Sequence, residues 1–194
     1  PSLELSQNVS GVSSVVNFII ENNFQYEYVH FLLGKKDNER GGVFRIKSLL
    51  KSLFDWRKLL QESPDAIVHY SFPLSKQSVL RDTPFILLAH KKRQKMVVHV
   101  HGGVFLTAKK IPCIMMWLMK KVFALDVPFI VLSDDEKQTL ANRFGVRHLE
   151  VLPNCPDLND AKSFQKEYTA SLKPLRIGYL GRIEPNKGMT ELLE

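Results

Sequence analysis

Cysteine is scarce in this chain: Cys113 and Cys155 are the only two in 194 residues. They stand far apart and in no metal-ligand spacing. That argues against a disulfide scaffold or a zinc framework and leaves two free thiols in a reducing compartment as the expectation. No apolar run reaches the roughly 18 residues of a membrane span. Low-complexity tracts and internal repeats are also missing. No G-x-G-x-x-G follows a strand with an acid about 20 residues further on, which argues against a dinucleotide-binding oxidoreductase. The opening Pro1-Ser2-Leu3-Glu4 lacks an initiator Met and the charged-then-apolar layout of a signal peptide, so a trimmed or partial chain is expected.

What is present has the composition of an ordinary globular protein, with 44% apolar and 24% charged residues. The net charge of +7 favours a polyanionic partner: a phosphorylated small molecule, an anionic membrane face or nucleic acid. Basic clusters at 90–95, 109–110 and 120–121 come with no nucleic-acid-binding motif, so no nucleic-acid partner is expected.

Hydrophobic periodicity sets the organisation. Val12, Val15, Val16, Ile19 and Ile20 predict an amphipathic helix, and Ile46, Leu49, Leu50, Leu53, Leu59 and Leu60 a second. Strands are predicted at Tyr26–Leu33 (closed by Gly34), Asp65–Tyr70, Met96–His101, Phe129–Leu132 and Glu150–Leu152. A polar loop is expected over 35–42. Ser75 to about Arg93 reads as helical with an interruption near Pro84, and Pro112–Leu125 as a helix apolar almost all round. Ser133-Asp134-Asp135-Glu136 has the pattern of a capping box opening another helix. Strands alternating with helices, and strands that are short continuous apolar runs, predict an α/β domain with a doubly wound, Rossmann-like parallel sheet. Residues 1–156 would form that domain, 157–174 a linker and 175–194 the start of a second domain.

Ligands of such sheets bind beyond the carboxyl ends of the strands, which directs attention to particular residues. Ser10-Gly11 opens the first helix, where free N–H groups could face an anion or simply be capped. His101-Gly102-Gly103 ends a strand, and its glycines permit unusual backbone angles and close ligand approach. His99 lies inside that strand and reads as a satisfied core histidine. Ser133 is a helix cap that could also touch a ligand, and Asn154 follows the last strand of the domain. Arg182 and Lys187 follow the strand 175–180; they could reach one phosphate pair, or be solvated surface cations. The helix around Lys109–Phe123, with Met115, Met116, Trp117 and Met119 between lysines, is either a buried core helix with snorkelling lysines or an interfacial helix on an anionic membrane.

Taken together, Gly181-Arg182, Lys187-Gly188 and Leu192-Leu193, then Val151-Leu152-Pro153-Asn154-Cys155-Pro156-Asp157, Val100-His101-Gly102 and Ser10-Gly11-Val12 resemble motifs of the retaining glycosyltransferases of the GT-B fold, family four (the glycosyl transferases group 1). Cys155-Pro156 stands where that family has Gly-Val, and Ser10 where it usually has Gly. The resemblance implies a transferase that moves a sugar from a nucleotide diphosphate sugar to a glycan or lipid-linked acceptor with retention, in polysaccharide or lipopolysaccharide assembly. It implies that Arg182 and Lys187 bind the donor diphosphate, that Gly11 faces the donor phosphates and the acceptor, and that His101 is the catalytic residue, contacting or positioning the transferred sugar. Ser10, Gly102, Gly103, Ser133 and Asn154 would be acceptor or sugar contacts. No cofactor or metal is implied beyond the donor, and the expected location is cytoplasmic, peripheral at the inner face of the plasma membrane. The family's paired glutamates would lie beyond Glu194, so the chain alone is expected to be inactive. Another nucleotide-binding Rossmann enzyme, or a non-catalytic polyanion- or membrane-binding module, stands as the alternative.

Overall fold

The computed structural model describes residues 3, 11–33 and 43–154. The chain divides between Asp157 and Leu158, and the described residues all belong to the first unit. The expected loop at 35–42, linker at 157–174 and second-domain start at 175–194 lie outside them. The elements are α1 (Gly11–Asn22), α2 (Val43–Glu62), β1 (Ile67–Phe72), α3 (Lys76–Lys91), β2 (Lys95–Val100), α4 (Val104–Thr107), α5 (Cys113–Phe123), β3 (Phe129–Val131), α6 (Asp134–Phe144) and β4 (Leu149–Val151). No described helix is long and apolar enough to cross a membrane.

The strands form one parallel sheet in the order β1-β2-β3-β4. The α/β class and the parallel sheet are therefore as expected. A doubly wound sheet reverses its strand order at a switch point; among the described strands the order runs one way only.

Strand alternation gives the sheet two unlike faces. Tyr70 pairs in register with Val98, and Val98 with Phe129, so Val68, Tyr70, Phe72, Met96, Val98, Val100, Phe129 and Val131 share one face. That face is covered by α3, α5 and α6. Phe123 of α5 is the hinge of the packing: its ring lies 6.3 Å from Phe72, 5.6 Å from Phe129 and 5.0 Å from Phe144. Side chains of this size contribute roughly 1.5–3 kcal/mol each when fully buried, and this layer holds most of them. Met115 and Met119 are buried in it while Ile114 and Trp117 are exposed, so α5 is a core helix with an apolar outer edge.

Three polar devices lock the layer. Asp82 is buried on α3, accepting from the Tyr70 hydroxyl at 3.3 Å and from Arg81 Nη2 at 2.8 Å. Burial raises the pKa of the Asp82 carboxyl, against the pull of Arg81, and also raises that of the Tyr70 phenol. The Trp56 indole on α2 donates to the Phe85 carbonyl at 3.1 Å, tying α2 to α3. Arg143 on α6 donates to the carbonyls of Phe105, Leu106 and Ala108 at 3.2, 3.1 and 2.6 Å. A four-residue helix leaves its last carbonyls unsatisfied, and one guanidinium fork serves three of these acceptors around α4.

Two expectations fail. Tyr26–Leu33 forms no strand: Phe24, Tyr26 and Val29 are exposed. The segment instead contributes Phe31, whose ring centre lies 5.0 Å from Trp56. The residue types favour a strand, but the segment lacks the two-sided burial that stabilises a central strand. The helix at Pro84 is also uninterrupted, running from Lys76 to Lys91 with Pro84 at its exposed side. Burial of Val79, Asp82, Phe85 and Ile86 outweighs the missing N–H, a matter of about 3 kcal/mol for proline inside a helix.

Replacing Arg143 by Ala should lower unfolding stability by about 2 kcal/mol, read as a shift in the urea midpoint. Arg143→Lys should recover only part, because an ammonium cannot span three carbonyls.

Candidate functional site

The second face of the sheet carries histidines. Ser71 pairs with His99 and His69 with Val97, so His69 and His99 point to the side away from the aromatic layer. His101 is one residue past β2, yet its N–H still reaches the Phe72 carbonyl at 3.4 Å, which keeps it in the strand's alternation. The three rings form a column. His69 Nε2 and His99 Nδ1 are 3.2 Å apart with nearly parallel rings, and the His99 and His101 ring centres are 4.0 Å apart.

Burial governs the charge of this column. Only 1% of the His99 surface is exposed. Burial, then the charges of His101 and His69, lower its pKa to about 3; burial and His69 lower that of His101 to about 4. His69 is the exposed end of the column, and partial desolvation of its ring lowers its pKa in the same direction. All three are neutral near pH 7, each with one donor and one acceptor nitrogen. The shared His69–His99 bond couples tautomers: if His69 donates, His99 carries its proton on Nε2, and if His99 donates, Nε2 is an acceptor. In either case His99 Nε2 and His101 Nε2 are buried with no hydrogen-bond partner among the described residues. An unsatisfied buried polar group costs roughly 1–3 kcal/mol, so two side by side mark a place not optimised for stability alone. Stacked rings do not converge as metal ligands do, and no group of three His, Cys, Asp or Glu among the described residues is placed to hold an ion.

Beside the column, the turns after three strands meet. Gly102 and Gly103 have φ of +63° and +126°, and a Cβ on Gly103 would stand 2.6 Å from the Leu74 carbonyl oxygen. The contact is that close because Leu74 is bonded on both sides. Its N–H donates to Gly102 O at 2.8 Å, and its carbonyl accepts from Phe105 N at 3.0 Å. From the third turn, Ser133 Oγ accepts from Glu136 N at 3.2 Å, as the capping-box pattern predicts. The Glu136 carboxylate departs from that pattern. It accepts from Leu132 N at 2.9 Å rather than from Ser133, and its other oxygen faces Gly102.

Helix α1 lies beside His99. Val15, Phe18 and Ile19 line a cavity of about 80 Å³ with His99, Leu152 and Pro153. A larger space of about 460 Å³, lined by Phe123, Phe144, Arg147 and the 3.2 Å His148–Asp126 pair, opens at the amino ends of β3 and β4. Parallel sheets bind ligands at the opposite end, so the smaller cavity beside the histidines marks the candidate site.

The chain matches no family model, no curated protein and no solved structure.

His101, Gly102, Gly103 and Ser133 thus come together at the carboxyl ends of β2 and β3. Gly11 begins α1 and Asn154 follows β4, both exposed; α1 comes beside His99 through Val15, Phe18 and Ile19 rather than through Gly11. Ser10, Arg182 and Lys187 lie outside the described residues. His99 is buried, as expected, but only half satisfied. Sequence reading missed His69 and the reach of Glu136 toward Gly102. His69 had a signal, a histidine in each of two successive predicted strands, which parallel pairing can bring side by side.

Gly103→Ala should cost about 2–3 kcal/mol, from a positive φ and a backbone clash, measured by urea denaturation. The histidines predict a pH dependence as well. A folded pKa below the unfolded 6.5 means full stability above pH 6.5, lost as pH falls toward the folded values of about 4 and 3. Between pH 6.5 and 5 the slope should approach roughly 1.4 kcal/mol per pH unit for each such histidine. In His99→Leu it should be visibly flatter, read from urea midpoints across that range.

Proposed function

We propose that this chain is the acceptor-side part of a retaining glycosyltransferase that moves a sugar from a nucleotide diphosphate sugar to a glycan or lipid-linked acceptor. The observation that carries the reading is the buried, unpartnered Nε2 of His101 at the carboxyl end of β2. It stands beside two glycines with positive φ, where a parallel α/β sheet takes its ligand. A neutral imidazole suits such a transfer. It can exchange a hydrogen bond with a sugar hydroxyl without placing a positive charge next to the oxocarbenium-like centre that forms as the bond from the sugar to the leaving diphosphate breaks. Gly103 lies against the Leu74 backbone, where no Cβ would fit, so the glycines fix the turn that positions His101. The leaving diphosphate gains negative charge in the transition state, and the resemblance gives Arg182 and Lys187 the task of binding it, a guanidinium fork and an ammonium being suited to that charge.

In the protein carrying this chain, sugar transfer from a panel of uridine, guanosine and thymidine diphosphate sugars tests the reading. His101→Ala should lower kcat by about 100-fold or more, and the Arg182→Ala, Lys187→Ala pair by at least as much, the range found when one transition-state donor is removed. Unchanged turnover in the paired variant would overturn the donor assignment. Turnover insensitive to His101 would overturn the role given to the column.

A further inference from the structure

Helix α2 carries a second apolar stripe, centred roughly 100° around the helix from its core-facing side. Trp56 and Leu60 face the core. Ile46, Leu50 and Phe54, spaced i, i+4, i+8, make a second stripe on the outside, and Phe54 is 70% exposed. A surface helix with one core-facing stripe is expected to be polar there. Lys47, Lys51 and Lys58 are exposed along the same helix. The stripe has company, because α3 packs against both α2 and α5. Leu80 on α3 and Ile114 on α5 are exposed, and Trp117 is 58% exposed with the Lys121 ammonium 5.6 Å above its ring. On the described side chains of these three helices, eight exposed lysines and arginines stand against two exposed acids, Asp55 and Glu62.

The chemistry of this mixture narrows the partner. Protein interfaces are depleted of lysine at their cores. Nucleic-acid surfaces offer phosphates and stacking bases but nothing for Ile46, Leu50 and Phe54 to enter. Leu and Phe in a stripe, Trp at its margin and lysines around it match the boundary between lipid headgroups and acyl chains, and the excess of positive charge is complementary to anionic headgroups. We propose that the α2–α3–α5 layer docks on an anionic bilayer surface, Leu50 and Phe54 entering the acyl boundary and the surrounding lysines pairing with lipid phosphates. This surface goes beyond the sugar-transfer reading and stands apart from the histidine column. Loss of vesicle binding would leave that reading intact, and loss of turnover in His101→Ala would leave the docking intact.

The test is sedimentation of the full chain with vesicles of phosphatidylcholine alone and of phosphatidylcholine mixed with phosphatidylglycerol. Binding is expected to the anionic vesicles only, and to weaken as salt is raised. Lys47→Glu with Lys51→Glu should weaken binding by about tenfold or more, and Leu50→Ser with Phe54→Ser by roughly tenfold. All four positions are exposed, so far-UV circular dichroism and urea midpoints should match the parent. Should either pair fail to fold, Lys47→Gln with Lys51→Gln takes its place. Trp117 emission should shift to the blue on binding, and Trp117→Phe should remove the shift. No association with anionic vesicles at low salt would overturn the proposal. So would binding that both folded pairs leave unchanged, or full displacement of the vesicles by a nucleic-acid competitor.

Discussion

The backbone of Leu74 is bonded on both sides to the turn that ends β2, and the architecture at the carboxyl end of the sheet depends on this. Its N–H holds Gly102 and its carbonyl holds Phe105. The turn after β1 and the turn after β2 thereby become one object. The fit leaves no room for a Cβ at Gly103. It also determines where α4 begins, and hence where the Arg143 fork must reach. Because His101 immediately precedes this turn, its ring is positioned by backbone bonds rather than by a flexible loop. Sites carried on such rigid elements hold their geometry better than sites on loops.

The two faces of the sheet divide the labour. One is an aromatic and aliphatic layer in which Phe123 touches rings from two strands and a neighbouring helix. It supplies stability by close packing, and its buried carboxylate, Asp82, is bonded to Arg81 and Tyr70. The other face gives up stability: three neutral imidazoles are stacked, and two nitrogens are buried without partners. Departures from full polar satisfaction concentrate where proteins act on ligands.

How much of this could be read from the residues varies with the physics of each element. The helices α2, α5 and α6 and the strands β1 to β3 follow from period and capping, which are local. Tyr26–Leu33 has the composition of a strand, but strand formation also requires a neighbour, and no local pattern supplies one. Pro84 reads as a break because propensity is local, whereas the burial that overrides it comes from β1, β2 and α5. At the site, the glycines after β2 and the Ser133 cap were legible as backbone requirements. The column was only half legible: His99 and His101 share a strand and so a face, but His69 joins them through register, which only strand pairing determines. The partner of Glu136 was misread by a single residue for the same reason, since the pattern gives the spacing and the bend of the turn gives the donor.

Three imidazoles within stacking distance also constrain how many protons the column can hold. A proton on any one raises the cost of a second on its neighbours, so the group titrates as a unit rather than as three independent sites. With His99 and His101 at about 3 and about 4, those two rings take up their protons well outside the physiological range. Such a group makes a poor proton relay, since a relay works best with a pKa near the ambient pH. It is better suited to the opposite task of presenting the same pattern of donors and acceptors to whatever lies against it, regardless of modest changes in the acidity of its surroundings.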